Sequence, residues 1–77
     1  MNAKERVIIK ECISKTEEMI SLLETVRDAE QERFDDASEA VQEGEKGSIL
    51  SANAETLTGV VDLLQEASAQ LDEVDIT

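Results

Sequence analysis

The sequence predicts an all-α protein folded as an antiparallel helical hairpin, and three observations predict it. Proline is absent, and only Phe34 is aromatic although 40% of the residues are hydrophobic; such a composition is typical of helices. No stretch shows the alternation of a half-buried strand. The one clear interruption is EGEKGS, residues 43–48, where Gly44 suits a left-handed helix end and Ser48 a helix N-cap. We therefore expect one domain, residues 1–77, with helix 1 at about 3–43, a turn at 44–47 and helix 2 at about 48–74.

The second predicted helix is amphipathic. Its apolar residues recur at steps of three and four, which is the spacing of one helical face. They are Leu50, Ala54, Leu57, Val61, Leu64 and Leu71. A second apolar row flanks the first and contains Val60, Leu63, Ala67 and Val74. The apolar surface is therefore wider than one neighbouring helix can cover.

The first predicted helix has a similar stripe with a polar interruption. Arg27 and Glu30 fall in the same stripe as Ile20, Leu23 and Phe34. The segment 27–36 contains neither Gly nor Pro and the stripe keeps its phase across it, which favours a continuous helix. The alternative is a break near residues 28–36 that gives a three-helix bundle monomer, since Asp36 and Glu39 have the spacing of a capping box.

The amino-terminal segment RVIIKECI, residues 6–13, lacks an intrachain partner in the predicted hairpin. The hairpin places Phe34 near Leu57 and Ile20 near Leu71, so residues 4–14 project beyond helix 2 by about 15 Å. Such exposed apolar surface is unusual on a soluble monomer. We therefore expect a homodimer that forms a four-helix bundle. The predicted protein interface comprises Val7, Ile8, Ile9, Cys12, Ile13, Met19 and Leu22.

The composition argues against several classes of function. His, Tyr and Trp are absent, and no phosphate-binding glycine loop is present, so we predict no enzyme activity, no catalytic residues and no cofactor. One cysteine without histidine cannot assemble a usual zinc site, and no metal site is expected. No apolar run approaches the roughly 20 residues of a membrane span. We expect a cytoplasmic protein in which Cys12 stays a reduced, buried thiol.

The charge distribution suggests which partners the chain binds. A net charge of −12 argues against direct binding of nucleic acid, because phosphates are bound by Lys and Arg. Four carboxylates form a line on helix 2 and are predicted to be either a solvated surface or a surface that binds a basic partner. They are Glu55, Asp62, Glu66 and Glu73.

These observations predict a non-enzymatic protein–protein interaction module. It would be a small acidic regulator or adaptor that self-associates and binds another protein. One alternative is an acidic inhibitor of viral or plasmid type that mimics nucleic acid and blocks a nucleic-acid-binding protein. A second alternative is a small secretion chaperone that binds an apolar helix. Membrane binding through the basic segment between Lys4 and Lys15 is not expected, because the rest of the chain is acidic.

Overall fold

The computed structural model describes all residues, Met1–Thr77, and contains three helices and no strand. Helix α1 spans Ala3–Asp36, α2 spans Glu39–Glu43 and α3 spans Glu45–Asp72. Helices α1 and α3 pack side by side, and the short α2 forms the corner between them. The molecule is a rod of 58 × 14 × 13 Å. The predicted all-α class is confirmed.

Helix α1 is continuous through residues 27–36 but does not reach residue 43. It starts with a capping box, in which the Asn2 side chain accepts from Glu5 N at 2.8 Å and the Glu5 carboxylate accepts from Asn2 N at 3.0 Å. It ends at Asp36, because Ala37 and Ser38 are extended, with ψ of 152° and 158°. The predicted single helix over 3–43 is therefore wrong. The alternative break is also misplaced, since it follows residues 28–36 instead of lying within them.

The chain breaks at Ala37–Ser38 because local groups satisfy the backbone there. Ser38 is the N-cap of α2, and its Oγ accepts from Val41 N at 3.3 Å. The Gln42 side chain reaches back and donates to the Phe34 carbonyl at 2.7 Å, which also accepts from Ala37 N at 3.2 Å, so that this carbonyl at the helix end is satisfied without a further helical turn. Ser38, and not Asp36, therefore supplies the cap.

The predicted turn at 44–47 is replaced by a single residue between two helices. Gly44 is the C-cap of α2 and the N-cap of α3, with φ of −89°, so the predicted left-handed helix end is wrong. Glu45 already belongs to α3, and Ser48 lies inside this helix and does not cap it. Helix α3 ends at Asp72, two residues before the predicted end.

The corner depends on a close approach at Gly47. This glycine is buried, and a Cβ atom on it would overlap the carbonyl oxygens of Val41 and Gln42. Since α2 can lie this close to α3 only where no side chain intervenes, Gly47 is required for the observed corner. Gly59, on the exposed side of α3, has open space around its Cβ position.

A seam of side chains spaced alternately three and four residues apart joins α1 and α3. This is the a/d spacing of a coiled coil, and it includes most of the buried and half-buried residues of the two helices. On α1 and just beyond its end, the seam contains Arg6, Ile9, Ile13, Thr16, Ile20, Leu23, Arg27, Glu30, Phe34 and Ala37. On α3 it contains Gly47, Leu50, Ala54, Leu57, Val61, Leu64, Ser68 and Leu71.

The register of the seam follows from a hydrogen bond between the two helices. Asn53 Nδ2 donates to Glu30 Oε2 at 3.1 Å, which places Ile20 at the level of Leu64 and not of Leu71. The predicted register is wrong by about two turns, because residues 37–43 form the corner and α3 begins earlier. Helix α3 therefore covers α1 down to the level of Cys12. The overhang of α1 is shorter than predicted.

We predict opposite effects for the same substitution at two glycines. Gly47→Ala should lower the free energy of unfolding by about 1–3 kcal/mol, because the new methyl group overpacks the corner. Gly59→Ala should raise it by up to about 1 kcal/mol, because alanine is the better helix former at an open position. Urea unfolding followed by circular dichroism measures both. A Gly47→Ala variant as stable as wild type would contradict the assigned close approach.

Candidate interaction surface

Two charged residues in the middle of the seam, Arg27 and Glu30, have their charged groups paired. The Glu30 side chain is only 16% exposed and accepts hydrogen bonds from Asn53 at 3.1 Å and from Arg33 at 2.7 Å. The Asn53 hydrogen bond, followed by Arg33, lowers the pKa of Glu30 against the opposing effect of desolvation. Arg27 Nη2 lies 3.0 Å from Asp28 Oδ1, so the aliphatic part of the Arg27 side chain can line the seam while its guanidinium group reaches water. The polar interruption in the sequence is thus accommodated within the helix.

Most exposed large apolar side chains lie on one side of the hairpin. They share positions just beside the seam and are at least one-third exposed. They are Ile8, Met19, Leu22 and Val26 on α1, Val41 on α2, and Ile49, Val60 and Leu63 on α3. Leu22 and Leu63 are the most exposed of this set, at 61% and 67%.

The helical geometry explains why these residues share a side. On α1 each lies one position before a seam residue, so their row repeats the spacing of the seam but is rotated from it by about 100°. A groove lined by Val26, Asn53 and Thr56 joins the corresponding rows of α1 and α3. A second groove joins Arg33 to Lys46. We call this side the apolar face. It consists of Val41 and two rows, one on each long helix. The row on α1 contains Ile8, Cys12, Lys15, Met19, Leu22, Val26, Ala29 and Arg33, with Glu5 and Asp36 at its two ends, and the row on α3 contains Lys46, Ile49, Asn53, Thr56, Val60, Leu63, Ala67 and Gln70.

The structure distributes the seven predicted interface residues over three environments. Four belong to the apolar face: Ile8, Cys12, Met19 and Leu22. Ile9 and Ile13 are half-buried at seam positions of α1, Ile9 about one turn beyond the level at which α3 ends. Val7 is 63% exposed but lies on another side of α1. Cys12 is exposed, so its predicted burial within the chain is wrong.

The predicted interface left out Val26, Val41 and Ile49, although the sequence places Val26 in the same apolar row of helix 1 as Met19 and Leu22. The signal for Val26 was present, because it continues the spacing of Met19 and Leu22. The predicted stripe of helix 1 continues from Phe34 to Val41, whereas Ile49 falls in no predicted row. Only the position of the corner shows that they extend the apolar face toward the end formed by α2.

The charges of the chain are segregated from the apolar face. Of the 19 acidic residues, only Glu5 and Asp36 occupy its rows, one at each end. Three basic residues lie in it, namely Lys15, Arg33 and Lys46. The central part of this face is therefore free of carboxylates, and repulsion between the carboxylates of two copies would act mainly between the other surfaces.

The predicted acidic line is exposed on the side away from the apolar face. Glu55, Asp62, Glu66 and Glu73 are all exposed, and none of them forms a salt bridge. All salt bridges lie within α1, for example Lys15 to Glu11 at 2.8 Å. This ion pair lowers the pKa of Glu11 and raises that of Lys15, chiefly through the hydrogen bond between the two groups.

The chain leaves more surface exposed than its mass requires. Its accessible surface is 5553 Å², whereas a compact monomer of 8.5 kDa exposes about 4,700 Å². Its radius of gyration is 17.5 Å, against about 11.5 Å for a compact domain of this length. The buried apolar core consists of Ile20, Leu50, Ala54 and Val61. The difference of about 900 Å² is close to the roughly 800 Å² that each partner buries in a standard interface.

Other kinds of site have no matching arrangement of side chains. No three Cys, Asp or Glu side chains come together in a group that could hold a metal ion. None of the helices combines the length and apolar character needed to cross a membrane. Comparison of the chain with protein-family models, curated proteins and solved structures finds no match.

We predict that Asn53→Ala raises the pKa of Glu30 toward its ordinary value of 4.5, because the substitution removes the main hydrogen bond to the carboxylate. A lowered pKa in the folded state means that this carboxylate stabilises the fold above pH 4.5 and loses that contribution as pH falls through the folded pKa. The variant should therefore be less stable than wild type at pH 7, and the difference should shrink in acid. Carbon-detected NMR titration of the Glu30 carboxylate measures its pKa in the two proteins. Urea unfolding at pH 7 and in acid measures the difference in stability. An unchanged pKa would contradict the assigned role of Asn53.

Proposed function

We propose that the chain is a non-enzymatic protein–protein interaction module that self-associates through its apolar face. The observation that carries the proposal is the clustering of nearly all exposed large apolar side chains on that face. Two copies that bury this face against each other form a homodimeric four-helix bundle, in which each helix gains a second neighbour.

The small core of a single chain supplies little stability on its own. One small core rarely supplies more than about 3–5 kcal/mol, and here only four apolar residues are buried. Burial of one leucine side chain that was exposed contributes about 1.5–3 kcal/mol. Covering Leu22, Leu63 and Val26 in a second copy is therefore comparable to the contribution of the whole intrachain core.

A dimeric bundle of this kind is suited to regulation or to an adaptor role. Its outer surface would carry nearly all the carboxylates, with the helices held rigidly beneath them. We place this module in the cytoplasm, a reducing compartment in which the exposed Cys12 thiol would remain free. A protein partner would then bind to surfaces that self-association leaves open.

We predict that Leu22→Asp converts the dimer to a monomer. The new carboxylate would be desolvated at the centre of the apolar face, which is costly without a partner charge. Val7→Asp is the matched control, because Val7 is exposed to the same extent, 63% against 61%, and lies outside the face. Sedimentation velocity should show loss of dimer at micromolar concentration for Leu22→Asp, with at least a tenfold higher dissociation constant, and little change for Val7→Asp.

Circular dichroism of both variants distinguishes lost association from lost folding. A monomeric wild-type chain, or a Leu22→Asp variant that dimerises as well as Val7→Asp does, would refute self-association through this face.

A second candidate function is inhibition of a basic, nucleic-acid-binding protein by the acidic side of α3. The observation that favours it is the absence of any salt bridge to the carboxylates of α3. Unpaired carboxylates on a rigid helix remain available to Lys and Arg of a partner. Such binding would weaken steeply with salt, because it depends on exposed charges.

We predict that neutralising the α3 line weakens binding of a lysine-rich polypeptide more than neutralising an equal number of carboxylates on α1. The test variant combines Glu55→Gln, Asp62→Asn, Glu66→Gln and Glu73→Gln. The control combines Glu17→Gln, Glu24→Gln, Asp28→Asn and Asp35→Asn, which changes the net charge by the same amount. Calorimetric titration with the lysine-rich polypeptide, at low and at high salt, compares the affinities of the wild type, the α3 variant and the α1 control. Equal losses would show that net charge alone, and no particular surface, governs the binding.

A further inference from the structure

We propose that the second copy lies on the apolar face in the reversed direction, with the two-fold axis passing near Met19. This inference rests on the proposed self-association and adds how the two copies are arranged. We call the end formed by α2 the corner end and the end that holds both chain termini the open end. The corner end of each copy then lies beside the open end of the other.

A two-fold axis can relate two stacked hairpins in two ways. An axis along the rod places like ends together and sets α1 of one copy over α3 of the other. An axis across the rod reverses the second copy and sets α1 over α1. Both arrangements bury the apolar face, so burial alone does not choose between them.

The net charges of the two ends favour the reversed arrangement. Residues 28–55, at the corner end, contain nine acidic and two basic residues, a net charge of −7. Residues 1–15 and 69–77, at the open end, contain five acidic and four basic residues, a net charge of −1. Like ends together would bring two strongly acidic corners into proximity. Reversal separates these corners by most of the length of the rod, so that their repulsion is screened.

The charges within the apolar face favour the same choice. Its corner end holds Arg33, Lys46 and Asp36, a net charge of +1, whereas Glu5 is the outermost charged residue at its open end and Lys15 lies between the two ends. With the axis at the level of Met19, Arg33 of each copy faces Glu5 of the other. With like ends together, α1 lies over α3, so Arg33 would lie near Lys46 as well as Asp36 of the second copy, and Glu5 would lie beyond the end of α3 with no basic residue opposite it.

The length of α1 sets the position of the axis. Met19 lies at the midpoint of α1, which spans Ala3–Asp36, so an axis there overlays the whole helix on its copy. By the register of the seam, Leu63 lies at nearly the same level as Met19. The most exposed apolar side chains, Leu22 and Leu63, are therefore brought together near the centre of the interface, and Glu5 and Arg33 lie at its ends.

A distance measurement between corner ends tests the arrangement. In a Cys12→Ala, Glu43→Cys double variant, a spin label at residue 43 reports the separation of the two corners by pulsed electron resonance. We expect more than about 50 Å for the reversed dimer and less than about 30 Å for like ends together, from a rise of 1.5 Å per residue. The substituted positions are both exposed, and sedimentation velocity checks that the variant still dimerises.

A disulfide provides the second measurement. In a Cys12→Ala, Met19→Cys variant, the two new thiols lie near the axis only in the reversed dimer, so mild oxidation should cross-link most of the protein. A short distance between labels, with no cross-link, in a chain that still dimerises would overturn the reversed arrangement and leave self-association intact. A monomeric wild-type chain would overturn both.

Discussion

The seam between α1 and α3 is one layer of side chains deep, and the rest of the structure depends on this constraint. Two helices side by side cover one strip of each other and nothing more. Even residues within the seam, such as Ile13 and Leu71, therefore stay half-exposed, and Val61 is the one large apolar side chain that is almost completely buried, at 1% exposure. A second apolar strip on each helix has no place to pack within the chain, and it becomes the apolar face.

A seam this thin specifies its register through a few particular contacts and not through a large core. Polar residues at seam positions are known to fix register at some cost in stability. Glu30 and Asn53 form the hydrogen bond that joins the two helices, and a slip of one turn would leave the half-buried carboxylate without it. Gly47 fixes the position of the corner in the same way, because a residue with a side chain at this position would overlap the carbonyl groups of α2.

The helical class and the amphipathic faces could be predicted because they depend on spacing along the chain. The periodicity of Leu50, Leu57 and Leu64 is visible in the sequence, and so is the continuity of residues 27–36. The corner could not be placed, because it depends on the Ser38 cap, on a side-chain hydrogen bond from Gln42 and on the lack of a side chain at Gly47. A displacement of the corner moved the register by about two turns. It therefore changed which amino-terminal residues are covered, and Ile9 and Ile13 proved to be partly buried in the seam.

The segregation of charge explains how an acidic chain could associate with itself at all. A net charge of −12 opposes contact between copies, and it does so most strongly where carboxylates face each other. The apolar face avoids this repulsion, because its carboxylates lie only at the ends and its basic residues lie in the same rows. Association through any other side would bring lines such as Glu55 and Asp62 against those of a second copy. In the proposed dimer, the acidic surface would act together with the apolar face, because it would keep the molecule dispersed and would restrict contact between copies to one side and one direction.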